Sequence, residues 1–502
     1  MPGALERVGH LIGHAVHLAQ HEHVHVLHGD VRAAAEGAGR DALGDDDDAL
    51  HVGRDALGSL RPLRIGRVGV ERRRRGDAHE VGPEVLRELL DLRGIHGPDY
   101  NPPRIQPAGR NPIVPNALII LVLAAVLSAT PAAAADRVKI GFIATFSGPI
   151  GVIGQHGLDG FLLGVEHAGG KLGGLTTEVI KEDDQLKPDV GLQVAKKLLE
   201  RDRVDFVVGT IFSNVMMAIY KPVVDSKTFL ISHNAGPSPI AGKQCSPFFF
   251  SASWQNDGPH EAMGKHVNDK GLKRVYIMAP NYQAGKDALA GFKRYYKSGE
   301  VVGEVYTTIN QPDYSAELAQ LRAAKPDAAY VFYPGGMGVQ FVKQYVQAGL
   351  LKDVPLFSAF TIDETNLAAI GDAAVGTFGT AFWNPDLKNP ASERFVADFQ
   401  KKYGYTPSTY SAQAYDAALL IDSAIRGVQG RLEDKDGLRA AFRRADFKSV
   451  RGAFRYNTNG FPIQNFYLHE VVKDGAGKLK WANRGVVFTD HGDPYASECP
   501  MK

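Results

Sequence analysis

His21-Glu22-His23-Val24-His25 carries the sharpest chemical pattern in the chain, two histidines and a glutamate in H-E-x-x-H order. On a helix that spacing would place two zinc ligands and a general base on one face. Here it sits in a His-rich stretch with no apolar helical frame and no third ligand, so no metal centre is expected. Gly236-Pro-Ser-Pro-Ile-Ala-Gly242-Lys243-Gln244 has the outline of a phosphate loop. It holds one intervening residue too many, two prolines without N–H donors, and Gln where Ser or Thr should bind magnesium. Nucleotide binding is not expected. Glu182-Asp183-Asp184 could mimic a catalytic carboxylate pair, but polar residues at a strand end explain the cluster as well. Gly148, Gly151, Gly154 and Gly157 recur every third residue with Ile150, Val152 and Ile153 between them, the composition of a tight apolar loop. No G-x-S-x-G elbow occurs, and no G-x-G-x-x-G follows a strand. The chain is expected to bind rather than to catalyse, with no cofactor.

The chain has 502 residues, 57 basic against 56 acidic side chains, and 44% hydrophobic residues. At roughly 100–200 residues per domain, several folded units are expected. A net charge near zero removes the basic footprint of a nucleic-acid reader. The averages hide a break. Residues 1–135 contain no Lys, Phe, Trp or Cys and one Tyr, Tyr100, yet hold ten of the 17 histidines. A folded domain of that size would bury aromatics. Runs such as Asp45–Asp48 and Arg72–Arg75 repel themselves and favour disorder. Residues 1–115 read either as a disordered leader or as the product of an upstream start codon in a GC-rich gene, and are left out of the fold.

Residues 116–135 read as a secretory signal peptide. The apolar run Ala117–Leu127 is too short to span a bilayer and ends in small residues, with Ala133-Ala134-Ala135 satisfying A-x-A before Asp136. Arg110 supplies a weak positive flank, and no cysteine follows the cleavage point to take a lipid. The mature chain should begin near Asp136, in a periplasmic, disulfide-permissive compartment. Only Cys245 and Cys499 exist, one in a Pro/Gly-rich loop and the other near the chain end. A disulfide between them is expected, pinning the tail to the first lobe with a chain-entropy ceiling of roughly 5 kcal/mol.

The elements that must position any site are strands alternating with helices. Arg137–Ala144, Thr177–Glu182, Asp205–Gly209 and Thr228–Ser232 read as strands, with helices over Ile153–Ala168, Pro188–Glu200 and after Asn214. After Trp254 the series restarts with strands Arg274–Ala279, Val301–Thr307, Ala328–Tyr333 and Pro355–Phe360. Such alternation predicts parallel sheets covered on both faces, and two series predict two lobes. Ligands bind at the carboxyl ends of such strands, so the loops after Gly209, Ser232, Ala279, Tyr333 and Phe360 are the places to look.

Phe146-Ser147-Gly148-Pro149 after the first strand, Phe206–Gly209 followed by Thr210-Ile211-Phe212-Ser213, and Ile231-Ser232-His233-Asn234-Ala235 are similar to the type I periplasmic solute-binding proteins of ATP-driven transporters. The branch resembled is that of the leucine/isoleucine/valine-binding protein, over residues 137–485. The resemblance implies two doubly wound α/β lobes joined by a three-crossing hinge, closing on a small ligand without a catalytic step. The crossings would fall near Ser251, Phe382 and Arg455. One lobe would be 136–251 with 382–455, the second 252–381 with 456–485, and 486–502 a C-terminal tail.

The same resemblance assigns site residues. Ser213 falls where a serine at a helix N-terminus grips the ligand carboxylate, which suits the free N–H groups and dipole there; an ordinary N-cap is compatible with that role. Ala235 and Gly236 fall where backbone groups bind the same carboxylate. Amino-acid binders often have threonine at the place of Gly236, with Asn234 or His233 as substitutes here. Tyr282 matches a tyrosine that the second lobe presses onto the ligand. The departure comes at Phe360 and Thr361, where amino-acid binders place an acid for the α-ammonium; only Asp363 is near enough to replace it. A buried ammonium without a partner is costly. Gly335, Gly336 and Met337 stand where an aromatic side chain often lies, opening volume beside a soft wall. Ile150, Ile153, Phe212, Met337 and Phe360 would form an apolar slot beside the anion grip. The chain also resembles a branch binding benzoate- or cinnamate-type acids, around Tyr282–Phe292 and Ala323–Gly349. The expected function is a monomeric periplasmic binding subunit that captures a small carboxylate, an aromatic acid, and delivers it to the membrane permease of an ABC transporter. The alternatives are a branched-chain or other amino-acid binder, or the ligand-binding domain of a sensor.

Overall fold

A computed structural model describes residues 136–501. The leader, the signal peptide and the H-E-x-x-H stretch lie outside the described residues.

The first sheet is built from β1 (Arg137–Ala144), β2 (Lys171–Leu172), β3 (Leu175–Asp183), β4 (Phe206–Val208), β5 (Phe229–Ser232) and β6 (Phe249–Ser251), in the order β2-β3-β1-β4-β5-β6. All its pairings are parallel except the short β2–β3 hairpin. Val138, Ile140, Phe142 and Ile143 of β1 are all buried, so both faces of the sheet are covered, as a parallel sheet requires. Helices Gly151–His167 and Thr409–Gly427 pack together on this lobe. The contact is backbone-close: a Cβ at Gly160 would lie 2.0 Å from the Ser411 carbonyl oxygen. Only glycine permits that approach. Helix Thr409–Gly427 begins at Ser408, whose hydroxyl accepts from the Ser411 amide in a capping box.

The second sheet contains β7 (Arg274–Pro280), β8 (Glu300–Thr307), β9 (Ala328–Val331), β10 (Leu356–Ser358), β11 (Phe378–Ala381), β12 (Arg455–Tyr456) and β13 (Pro462–Lys473), in the order β12-β13-β11-β10-β9-β7-β8. β14 (Leu479–His491) pairs with β13. Strands β7 to β11 are parallel, but β11–β13, β12–β13 and β13–β14 are antiparallel. The sheet is therefore mixed where a parallel one was expected. β14 also corrects the C-terminal boundary. Residues 486–491, expected in a tail, belong to this strand, because Gln464 of β13 is in register with His491. Beyond the strand the chain stays tethered. The Asp493 carboxylate accepts from Asn459 at 3.0 Å, and Cys499 is joined to Cys245 with a Cα–Cα distance of 5.7 Å.

The chain leaves the first sheet after Ser251 and leaves β11 of the second after Ala381. A third connection runs through Val450–Arg455 into β12. One buried guanidinium ties these connections together. Arg451 donates to Asp416 Oδ2 at 3.0 Å, to the Ser253 and Ala252 carbonyls at 2.9 and 2.6 Å, and to Gln464 Oε1 at 3.0 Å. Its plane also lies over the rings of Phe382, at 5.0 Å, and Phe454, at 4.6 Å. Every connection between the lobes touches this side chain. Arginine suits the role because its fork supplies several fixed donors and a face that stacks.

Candidate functional site

A small cavity of about 30 Å³ lies at the carboxyl ends of the strands, between the lobes. β4 ends at Val208, and helix Ser213–Asp225 starts four residues after Gly209. Phe212 is extended before it, so the first-turn amides have no intrahelical acceptor. Ser213 is buried at this end, and its hydroxyl accepts from Asn256 Nδ2 at 3.1 Å, which leaves its own hydrogen to donate. Free N–H groups, the dipole and a hydroxyl donor converge where an anion would sit.

Asn256 is the joint of this arrangement. Its amide also donates to Asp287 Oδ2 at 2.8 Å and accepts from the Gly236 N–H at 2.9 Å. Asp287, from helix Gln283–Tyr295, in turn accepts from the Ser238 hydroxyl at 2.6 Å and from Gln283 at 2.8 Å. Burial pushes the Asp287 carboxyl above the usual range, against the hydrogen bonds from Ser238 and Asn256 that hold it down. Asn234 is fixed by donation to the Ile211 carbonyl at 2.6 Å and acceptance from Gln413 at 2.8 Å.

The opposite wall is aromatic. Phe212 and Tyr282 lie 6.0 Å apart between ring centroids, Tyr282 and Phe332 6.3 Å, and Phe332 and His260 5.0 Å. Trp254 stacks on Phe360 at 4.5 Å, and Phe360 is 6.1 Å from Tyr410. Phe360 itself is held at φ 54°, a left-handed backbone that costs a bulky residue about 1–2 kcal/mol. That turn is what lays its ring on Trp254. Burial drives the His260 imidazole down to about 3 and pushes the Tyr282 hydroxyl well up, so both are neutral near pH 7. Among the described residues lining the cavity there is no Asp, Glu, Lys or Arg.

Of the residues expected at the site, Ile153, Phe212, Ser213, Asn234, Ala235, Tyr282 and Phe360 line this one cavity. Ala235 and Gly236 need correction as donors. The Ala235 amide already donates to the Thr210 carbonyl at 3.0 Å and the Gly236 amide to Asn256, so neither is left for a carboxylate. Gly236, Gly336, Met337 and Thr361 do not line the cavity. A Cβ at Gly336 would lie 2.9 Å from Pro149 Cβ, so the residue serves the contact between loops. The Met337 sulfur accepts from the Asn310 amide at 3.4 Å, and Thr361 Oγ1 accepts from the Tyr333 amide at 2.9 Å. Asp363 does not line the cavity either: its Oδ1 accepts from the Thr365 amide and hydroxyl at 2.8 and 2.5 Å, and it lies beside the lining Tyr410. Sequence reasoning missed Trp254, Asn256, His260, Phe332 and Tyr410. The four-residue spacing of Asn256 and His260 was a usable signal, since it puts both on one helical face. Among the described residues, no group of three or more His, Cys, Asp or Glu side chains could hold a metal ion, and no helix is long and apolar enough to cross a membrane.

Residues 137–476 match the family model described as periplasmic binding protein. The chain belongs to this family, with its type I two-lobed fold. A curated relative, Leu/Ile/Val-binding protein homolog 6 of Brucella melitensis, is 30% identical over 395 residues, covering 75% of this chain and 98% of the relative. Two solved structures of ABC transporter solute-binding proteins from R. palustris are similar along their whole length. The one in complex with benzoate is 31% identical with a TM-score of 0.68, covering 72% of this chain and 98% of that one. The one in complex with 4-hydroxybenzoate is 29% identical with a TM-score of 0.67, covering 72% and 99%.

Proposed function

We propose that this protein is the periplasmic substrate-binding subunit of an ABC importer, which captures a small aryl carboxylate between its lobes and delivers it to a membrane permease. The lining carries this reading. Ser213 and the helix N-terminus behind it offer donors to a carboxylate, while Trp254, Tyr282, Phe332 and Phe360 offer aromatic surface and no acid to pair an ammonium. An α-amino acid would bury its charged amine among rings, at a cost of several kcal/mol. The benzoate and hydroxybenzoate complexes of similar proteins support the same ligand class. Lobe closure, a hinge motion of microseconds to milliseconds, would bring Tyr282 onto the ligand and exclude water.

Titration calorimetry of the exported protein with benzoate, 4-hydroxybenzoate, cinnamate, leucine and valine tests the ligand class. Aryl acids should give heat and saturate; the amino acids should not. Leucine binding without an aryl-acid signal would overturn the reading, and would mean that Asp363 reaches the amine after all. Export itself is tested by N-terminal sequencing of periplasmic material, which should begin near Asp136. Recovery of residues 1–110 in the folded protein would refute both readings of the leader.

A further inference from the structure

We infer that His260 is the residue that reads a ring hydroxyl on the ligand, so that the site prefers 4-hydroxybenzoate to benzoate; this rests on the aryl-carboxylate reading above. His260 lines the cavity but takes no part in the anion grip. Its Nδ1 is engaged with the hydroxyl of Tyr330, which does not line the cavity, and this leaves Nε2 as the ring nitrogen free for a ligand. Phe332 and Phe360 meet the imidazole edge-on, with interplanar angles of 72° and 67°, and hold it between them. Tyr330 is itself immobilised by stacking on Phe292 at 4.1 Å. The dyad is therefore a fixed polar group in an apolar surround, not a side chain free to turn towards water.

His260 lines the same cavity as the anion grip and follows it along one helix. Asn256, which bonds Ser213 at the anion end, and His260 are four residues apart along helix Asp257–Asp269 and its first flanking residue, about 6 Å of rise. A benzene ring with para substituents would lie with its carboxylate towards Ser213 and its hydroxyl towards His260, both of which line the cavity. The imidazole is neutral, so one nitrogen donates and the other accepts. Whichever tautomer Tyr330 selects, a phenol hydroxyl can answer it, because it both donates and accepts. Benzoate cannot. When the lobes close over benzoate, Nε2 loses water and gains no partner, the situation in which a site rejects an analogue lacking the group it was built to bond.

The test is calorimetry of the exported wild type, His260→Phe and Tyr330→Phe with benzoate and 4-hydroxybenzoate, with thermal unfolding to confirm each fold. The wild type should bind 4-hydroxybenzoate roughly tenfold more tightly than benzoate, and His260→Phe should erase that ratio by weakening the hydroxylated ligand alone. Tyr330→Phe removes one buried oxygen and should lower the ratio without abolishing benzoate binding, which serves if His260→Phe does not fold. Equal loss of both ligands in either variant, or a wild type that does not discriminate, overturns the inference. A wild type that binds neither aryl acid overturns the proposed function as well, so the two failures are distinguishable.

Discussion

The two walls of the cavity are made by different means. On the first lobe, Ser213, Asn234 and Ala235 are held in place by hydrogen bonds to backbone or amide partners at 2.6–3.1 Å, which leave the Ser213 hydroxyl hydrogen free to donate. On the second, Tyr282, Phe332 and Phe360 contribute rings whose contacts are non-directional, with His260 as the polar exception. Directional bonds lose strength steeply with misplacement, whereas apolar burial scales with area. On the proposed function, the first wall would select the carboxylate and the second would reward closure over the apolar body that follows. Asn256 and Asp287 join the two, because one amide bonds the ligand-facing serine and the other lobe's carboxylate at once.

The comparison can be broken at its common support. Arg451→Met removes the donors that tie Ala252, Ser253 and Gln464 and leaves Asp416 buried and unpaired. Breaking a buried pair from one side costs about 3–5 kcal/mol, and urea unfolding should show it. Binding of every ligand should weaken together, since both walls hang on the same connections. A variant as stable as the wild type would mean that the guanidinium is not the hub.

Next in size, Ser213→Ala should reduce affinity for all carboxylates by about 1.5–3 kcal/mol, the range for a hydrogen bond to a charged group, with little change in melting temperature. Phe360→Ala should do the converse: a loss of about 1–2 kcal/mol that grows with the apolar size of the ligand and leaves the requirement for a carboxylate intact. A series from acetate to cinnamate separates the two. If both variants lose affinity in the same pattern, the division of labour between the walls is wrong.

A pH-dependent effect on stability concerns two buried histidines, one in each lobe. His233 stacks on Phe142 at 4.7 Å and His469 on Trp481 at 5.7 Å, with no partner for any ring nitrogen. Burial lowers His469 to about 3, below its unfolded value near 6.5. The folded state therefore keeps it neutral while the unfolded chain takes up a proton below pH 6.5, so its contribution is complete above that pH and is lost as the pH falls towards 3. At pH 5 the loss amounts to about 2 kcal/mol. His469→Leu should be destabilised less than the wild type between pH 7 and pH 5 in thermal unfolding. A parallel fall in both proteins would show that this group is not what titrates.

Much of the architecture was legible because it is local. The apolar runs Arg137–Ala144 and Phe229–Ser232 and their intervening helices follow from periodicity, and β1 occupies the residues expected of it. Strands β2, β6 and β11 to β14 were not read; β11 and β13, for example, pair across about eighty residues of intervening chain with no hairpin signal between them. Ser213 was legible as a helix start. So was the missing acid at Phe360 and Thr361, since a residue's absence needs no tertiary information. The chain's own residue types thus determined an α/β protein with a serine at a helix start and no acid at Phe360 or Thr361. Tertiary structure decided the rest. The Ala235 and Gly236 amides turned out to be occupied because Thr210 and Asn256 fold back onto them. Trp254, Asn256 and His260 became site residues because the first crossing between the lobes runs past the cavity, and Phe360 faces inward because its backbone is held at positive φ. Those are pairings between residues distant in sequence, and propensity, which acts over a few neighbours, holds no information about them.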